Sequence, residues 1–304
     1  MGTPQFAVPS LHALLDAGHE VAGVIAQPDR PAGRGQTLRE PPVKEFARGR
    51  GLPVVQPEKL RDPAFLRWIG DLCPQAIVVA AYGRILPKAL LDLPPHGAIN
   101  VHGSLLPKYR GAAPIQHAIL NGDAVTGITI MQVNERMDAG DILLQVPVEI
   151  CAEDTTGSLQ ARMAEVGAVA LVEALAKLER GELLPRPQRE EEATLAPRIE
   201  KEQGEIDWMK HAEEIERAVR AFNPWPGAYT RLRGKLLKIH RAGVRPIATS
   251  AEPGTIIRAS DGEIVIAAGQ HAVVPKELQL EGKRRVAARD LISGHLIREG
   301  ERLG

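Results

Sequence analysis

The strongest constraint on the fold is a change of rhythm near residue 180. Residues 8–180 alternate short apolar runs with amphipathic segments. Leu11, Leu14 and Leu15 mark a helix face closed by Gly18. Val21–Ala26 and Ala98–His102 are β-rich runs, and Pro53–Val55 is a weaker one. Ala76–Ala81 is nearly all apolar, as a strand buried on both faces must be. Gly127–Val133 and Ile142–Val148 continue the series, with a helix expected near Ala113–Leu120. A long Ala/Leu-rich helix is expected over Thr155–Arg180, with Thr156 as N-cap and Gly181 as its stop. Strands alternating with helices imply an α/β domain with a parallel sheet covered on both faces.

Residues 181–205 read as a linker, charged and broken by prolines. A short helix over His211–Phe222 follows, and then the period becomes two. Ala228–Leu232 and Lys235–His240 flank Arg233-Gly234; Thr255–Ala259 and Glu263–Ala267 flank Asp261-Gly262, a hairpin signal. With a further strand near Glu277–Leu280, the C-terminal part fits a small β-barrel. The expected domains are 1–180, a linker at 181–205, and 206–304.

Charge narrows the partners. Thirty-eight Lys and Arg balance thirty-eight Asp and Glu, so contact with nucleic acid must use a local patch. Residues 221–304 carry fourteen basic and eight acidic side chains, a net +6 that is either surface scatter or a module tracking phosphates. Cys73 and Cys151 form no CxxC pair, and the His and Cys spacing matches no metal site. No apolar run approaches the roughly 20 residues of a membrane span.

Three stretches could carry chemistry. Asn100 and His102, two apart on an expected strand, share a face at its C-terminal end, where open α/β sheets place ligands. A lone His is more often structural; a same-face Asn and His before Gly-Ser-Leu-Leu-Pro brings the two readings near parity. Met137–Asp141 is either a plain turn or the source of a carboxylate, Asp138, that orients an imidazole. Spacing alone does not place Asp138 beside His102. Arg30, Arg34 and Arg39 surround a Gly-x-Gly loop that lacks a phosphate-loop ending; it is either a solvated loop or a basic finger.

Taken in order, several segments resemble the methionyl-tRNA formyltransferase family. They are Gly2–Leu11, Gln27–Gly35, Ala81–Pro87, Ile99–Pro107, Tyr109–Ile115, Thr126–Met131, Asp138–Asp141 and Ala221–Gly227. The Asn-x-His and distant Asp are shared by folate-dependent formyltransferases generally. The resemblance implies a Rossmann-like domain followed by an OB-like barrel. It implies formyl transfer from 10-formyltetrahydrofolate, as co-substrate and without a metal, to methionine on initiator tRNA. It places Asn100, His102 and Asp138 at the catalytic positions and Ser104, Leu105, Leu106 and Pro107 at a folate-contacting loop. Ile85 and Leu86 would line the pterin pocket, and Arg30, Arg34 and Arg39 would meet tRNA. A cytoplasmic monomer with no membrane partner is the corresponding expectation.

The family pattern begins with an apolar strand ahead of Gly-Thr-Pro, whereas here Met1 precedes Gly2 directly. The first strand of the sheet is therefore expected to be missing, with the native start several residues upstream. Ala139 stands where Thr is common, a small change in a turn. A sister enzyme acting on an amino sugar nucleotide or glycinamide ribonucleotide would share Asn100, His102 and Asp138 without needing the barrel. A hydrolase that releases formate from the same folate would also fit the family. A non-catalytic folate- or RNA-binding module is a different class, and three intact polar positions argue against it.

Overall fold

The computed structural model describes residues 1–32 and 37–304. It divides into two compact units. The first comprises Met1–Pro114, Val125–Glu149 and Gln160–Pro197; the second comprises Ile115–Ala124, Ile150–Leu159 and Arg198–Gly304.

The elements run α1 (Val8–Asp16), β1 (Val24–Ile25), β2 (Arg30–Ala32), β3 (Thr37–Arg39), α2 (Pro42–Gly49), β4 (Val54–Val55), α3 (Pro63–Asp71), β5 (Ile77–Ala80) and α4 (Lys88–Leu91). Then follow β6 (Ala98–His102), α5 (Pro114–Asn121), β7 (Val125–Gln132), β8 (Ile142–Glu149) and α6 (Thr156–Glu179). The expected parallel pairing holds for β1 with β4 and β5 with β6. Beyond β6 the sheet turns antiparallel, in the order β5-β6-β7-β8. The connection 133–141 between β7 and β8 contains no helix, and such a hairpin joins only antiparallel strands. Val101 of β6 and Ile128 of β7 face α6. A Cβ on Gly167 would stand 2.8 Å from Val101 Cγ1, so a glycine lets the helix settle on the sheet.

The parallel pairs form separate sheets, and Met1-Gly2 lies between them. Gly2 N–H donates to Ile25 O at 3.0 Å and Ala80 N–H to Met1 O at 2.9 Å. The Met1 amino group donates to Val78 O at 2.6 Å. Beyond these two residues is a cavity of about 500 Å³ lined in part by Leu11, Leu14, Val21, Gly23, Trp68 and Val78. Only Val24–Ile25 of the expected Val21–Ala26 strand is regular, because Val21–Gly23 border the cavity and join no ladder.

In the second unit, α7 (Ala212–Ala221) precedes β9 (Ala228–Leu232), β10 (Lys235–Arg245), β11 (Ile256–Ser260), β12 (Glu263–Ala267), β13 (Ala272–Leu280), β14 (Val286–Ala287) and α8 (Ala288–Ser293). The strand order is β11-β12-β13-β10-β9, with β14 on β13. The last residues close it: Leu303 bridges Leu232 of β9, and Arg302 bridges Thr255 just before β11. This is the expected small barrel. Its two predicted hairpins turn through Arg233-Gly234 and Asp261-Gly262, each with positive φ at both residues, as a type I′ turn needs. Ile215 and Val219 of α7 pack with Leu237, Ile239 and Val273 in its core.

Two local expectations change. The N-cap of α6 is Thr155, not Thr156. Ser158 N–H donates to Thr155 Oγ1 and Thr155 N–H to Ser158 Oγ, a reciprocal cap. Thr156 instead donates its hydroxyl to Ala221 O at 2.6 Å. The 181–205 segment is also no free linker. Arg186 exchanges two backbone bonds with Ile142, and Leu195 bridges Arg110, so its 186–196 part is built into the first unit. Among the described residues, no helix is long and apolar enough to cross a membrane.

Candidate active site

The site begins with the alternation of β6. Ile99 and Val101 are buried apolar residues, while Asn100 and His102 take the other face. His102 is 5% exposed. Its Nε2 lies 3.0 Å from Tyr109 O, which makes Nε2 the protonated, donating nitrogen. Its Nδ1 lies 3.7 Å from Asp138 Oδ2, longer than a hydrogen bond but within ion-pair reach. Asp138 Oδ2 also accepts the Gly111 N–H at 2.9 Å. The structure therefore brings Asp138 to His102, which spacing alone did not predict. Asn100 is half-buried, and its side-chain amide has no hydrogen-bond partner among the described residues. A neutral amide donor beside an imidazole backed by a carboxylate can stabilise an oxyanion and relay a proton.

The Asp138 turn is tight. Asp138 has φ +49°, a left-handed conformation that Asp adopts more readily than most non-glycine residues. Two residues on, a Cβ at Gly140 would stand 1.8 Å from Gln132 O, so only glycine fits.

The expected folate-contacting residues fall into two places. Ser104 is fully buried and donates to Lys108 O at 2.5 Å, while its own carbonyl accepts from Thr129 Oγ1 at 2.6 Å. Leu106 N–H donates to Thr129 Oγ1 at 3.0 Å, Gln145 Nε2 donates to Leu106 O at 2.8 Å, and Leu106 packs on Met131 and Ile142. Leu105 packs against Gly127, where a Cβ would stand 2.5 Å from its Cδ2, and Pro107 O accepts Thr194 N–H. These contacts brace the chain directly after His102. Ile85 and Leu86 instead line a separate cavity of about 580 Å³, with Lys59, Arg61, Arg84 and Lys88 supplying positive charge and Glu135 negative. Ile85 is 69% exposed and Leu86 buried. Ser104–Pro107 do not line that cavity.

Of the three arginines expected at tRNA, Arg30 and Arg39 face one another across the β2–β3 hairpin. Arg30 Nη2 donates to Gln27 Oε1 at 2.9 Å, and Arg39 is exposed. Arg34 lies outside the described residues. Among the described residues, no group of three or more His, Cys, Asp or Glu is placed to hold a metal ion.

Several residues around the site carried no signal in the sequence. Gln188, Glu190 and Thr194 come from the segment expected to be a linker. Buried Arg110 gives its Nε to Gln188 Oε1 at 3.0 Å, and its two terminal nitrogens to Glu190 at 3.0 and 3.2 Å. Hydrogen bonds from Arg110 and then Arg136 hold the Glu190 carboxyl below the usual carboxylate range.

Residues 1–175 match the family model described as "Formyl transferase", and residues 198–296 match "Formyl transferase, C-terminal domain". The chain belongs to the formyl transferase family. Within that family it is 50% identical over 300 residues to methionyl-tRNA formyltransferase of Myxococcus xanthus (strain DK1622), covering 99% of this chain and 95% of that one. It is 50% identical over 305 residues to methionyl-tRNA formyltransferase of Koribacter versatilis (strain Ellin345), covering 100% and 97%. The formyl transferase fold recurs in an N-formyltransferase from Helicobacter canadensis in complex with folinic acid and dTDP-3-aminofucose. That structure has a TM-score of 0.66 at 18% identity, over 94% of this chain and 97% of the other.

Proposed function

We propose that the chain is a methionyl-tRNA formyltransferase, moving the formyl group of 10-formyltetrahydrofolate to the α-amino group of methionine on initiator tRNA in the cytoplasm. Half-identity along whole chains to proteins of that name supports the substrate pair. The observation that carries the chemistry is the unpartnered Asn100 amide on the same face as His102, itself flanked by Asp138.

The attacking amine is the nucleophile, so the enzyme needs no covalent intermediate. Its nitrogen bonds to the formyl carbon, the carbonyl oxygen becomes an oxyanion, and the bond to folate N10 then breaks. The proton lost by the amine ends on N10. Asn100 donates a side-chain N–H to the oxyanion, a contact worth about 3 kcal/mol in such sites. His102 exchanges its Tyr109 carbonyl partner for the reacting groups and relays the proton. Asp138 holds the ring in place from its Nδ1 side.

Electrostatics in the second unit suits an RNA substrate. Four arginines are matched within the unit, Arg233 with Glu301, Arg245 with Glu263, Arg258 with Asp261 and Arg302 with Glu252, so the +6 rests on the other basic side chains. Arg231 and Lys238 point outward, because their strand neighbours Thr230, Leu232, Leu237 and Ile239 fill the core. Lys238 pairs across the sheet with Tyr229, giving a phosphate-binding cation beside a ring. With Lys283 in the turn after β13, these form the backbone-tracking patch, and the Arg30–Arg39 hairpin is a second contact. The deciding assay offers purified enzyme and 10-formyltetrahydrofolate three acceptors: charged initiator tRNA, an amino sugar nucleotide and glycinamide ribonucleotide. Formylation of the tRNA alone is expected. Preference for either small amine would overturn the assignment.

A further inference from the structure

Gln188 carries the inference. Its side-chain amide makes three bonds at once. Nε2 donates to Asp138 O at 2.8 Å and to Gly140 O at 2.7 Å, and Oε1 accepts Arg110 Nε at 3.0 Å. Both donor hydrogens of the amide are used, so it cannot flip without facing an oxygen toward two carbonyls. The two carbonyls belong to the turn that presents the Asp138 carboxylate, whose backbone is left-handed. Asp enters that conformation more readily than most residues, and the two bonds from Gln188 hold the turn in it.

The same segment holds the other side of His102. Tyr109 N–H donates to Thr194 Oγ1 at 2.8 Å, Arg110 N–H to Thr194 O at 2.8 Å, and Ala196 N–H to Arg110 O at 2.8 Å. Tyr109 O is the acceptor for His102 Nε2, and Gly111 N–H donates to the Asp138 carboxylate. At Gly111 the approach of segment 186–196 is so close that a Cβ would stand 2.5 Å from Ala196 O. The groups facing both ring nitrogens of His102 are thus fastened to one strap, by different bonds.

We infer that Gln188 is a positioning residue for formyl transfer, acting by holding the Asp138 turn so that its carboxylate stays aimed at His102 Nδ1. The inference rests on the proposed role of Asp138 and His102. Gln188 touches no reacting atom. Its loss therefore lowers kcat and leaves ground-state binding of both substrates nearly unchanged.

The test is a double-mutant cycle on the full chain, read by steady-state formylation of charged tRNA. Gln188→Ala and Gln188→Glu are each combined with Asp138→Ala. Glu keeps the acceptor for Arg110 but removes the amide donors. Both single variants are expected to lose at least tenfold in kcat, with KM for folate and tRNA within about twofold of wild type. In the Asp138→Ala background, adding either Gln188 change is expected to cost less than twofold, because the carboxylate it aims is gone. A merely structural Gln188 would produce the same fold-loss in both backgrounds, and that result overturns the inference. Wild-type kcat in Gln188→Ala overturns it equally. So does failure of both single variants to fold, which would mark the residue as structural. Failure of the underlying reading looks different: Asp138→Ala would then retain full activity, whatever the Gln188 variants do.

Discussion

In the proposed reaction Asn100 and His102 divide the chemistry, and their losses should differ in kind. Asn100→Ala removes one donor to a developing oxyanion, and kcat for tRNA formylation is expected to fall 10²–10³-fold. His102→Ala removes the proton relay, with an expected loss of 10²–10⁴-fold. Asn100→Ala should leave thermal unfolding nearly unchanged, since its amide has no partner among the described residues, whereas His102→Ala, at a buried ring bonded to Tyr109 O, should lower the melting temperature while the chain still folds. Turnover within a few-fold of wild type would remove the residue from the mechanism. Stopped assays with saturating substrates, beside a melting curve, separate the outcomes. This pair was readable from sequence because a strand's period of two puts residues 100 and 102 on one face. Asp138 was not, since its approach to His102 depends on how the 133–141 connection folds back. Gln188 was hidden more deeply. It sits in a proline-punctuated, charged stretch with no periodicity, and only its partners reveal what its amide does.

At the scale of elements, hydrophobic pattern located the longer strands and the long helix α6 but not the short β2, β3 and β14 or helices α2, α3, α4 and α8, and ends depended on neighbours. The expected Val21–Ala26 strand is regular at two residues, because Val21–Gly23 border a cavity and only Val24–Ile25 pair with β4. Likewise β10 runs to Arg245, beyond the expected His240, because β13 pairs with it along that length. The cavity also has a titration consequence. Burial pushes the Met1 amino group down from 8.0 to about 5. The unfolded chain then binds more protons than the folded one between about pH 5 and pH 8. Stability should rise with pH across that window, by up to about 1.4 kcal/mol per pH unit, and be lost as pH falls through it. Preceding Met1 with five or six apolar, β-branched residues turns the amine into a peptide N–H and offers side chains to the cavity. Such a chain should lose this pH dependence and melt about 5 °C higher or more at pH 6. Differential scanning calorimetry of both chains from pH 5 to pH 8 decides it. Parallel curves, or no gain in melting temperature, would show that the cavity does not take a strand.

At the scale of the whole molecule, a formal net charge of zero makes long-range attraction to RNA a matter of arrangement. Ion pairs within the barrel consume most of its acidic side chains and as many arginines, so the surplus rests with residues such as Arg231, Lys238 and Lys283. Each phosphate contact releases counterions, and binding should weaken with salt in proportion to the number of contacts. The apparent KM for charged initiator tRNA is therefore expected to climb steeply between 50 and 300 mM KCl, conditions chosen about the physiological range. KM for 10-formyltetrahydrofolate should change far less, because the folate offers few charges to screen. A variant with Arg231, Lys238 and Lys283 all changed to Ala should flatten the log KM against log salt slope by about 2 units, at roughly 0.7–0.9 per phosphate. It should leave kcat near wild type, since none of the three belongs to the unit that holds His102. An unchanged slope would remove this face of the barrel from tRNA binding. A slope near zero in the wild-type enzyme would mean that tRNA is held by shape and hydrogen bonding, with the charge surplus left as surface scatter.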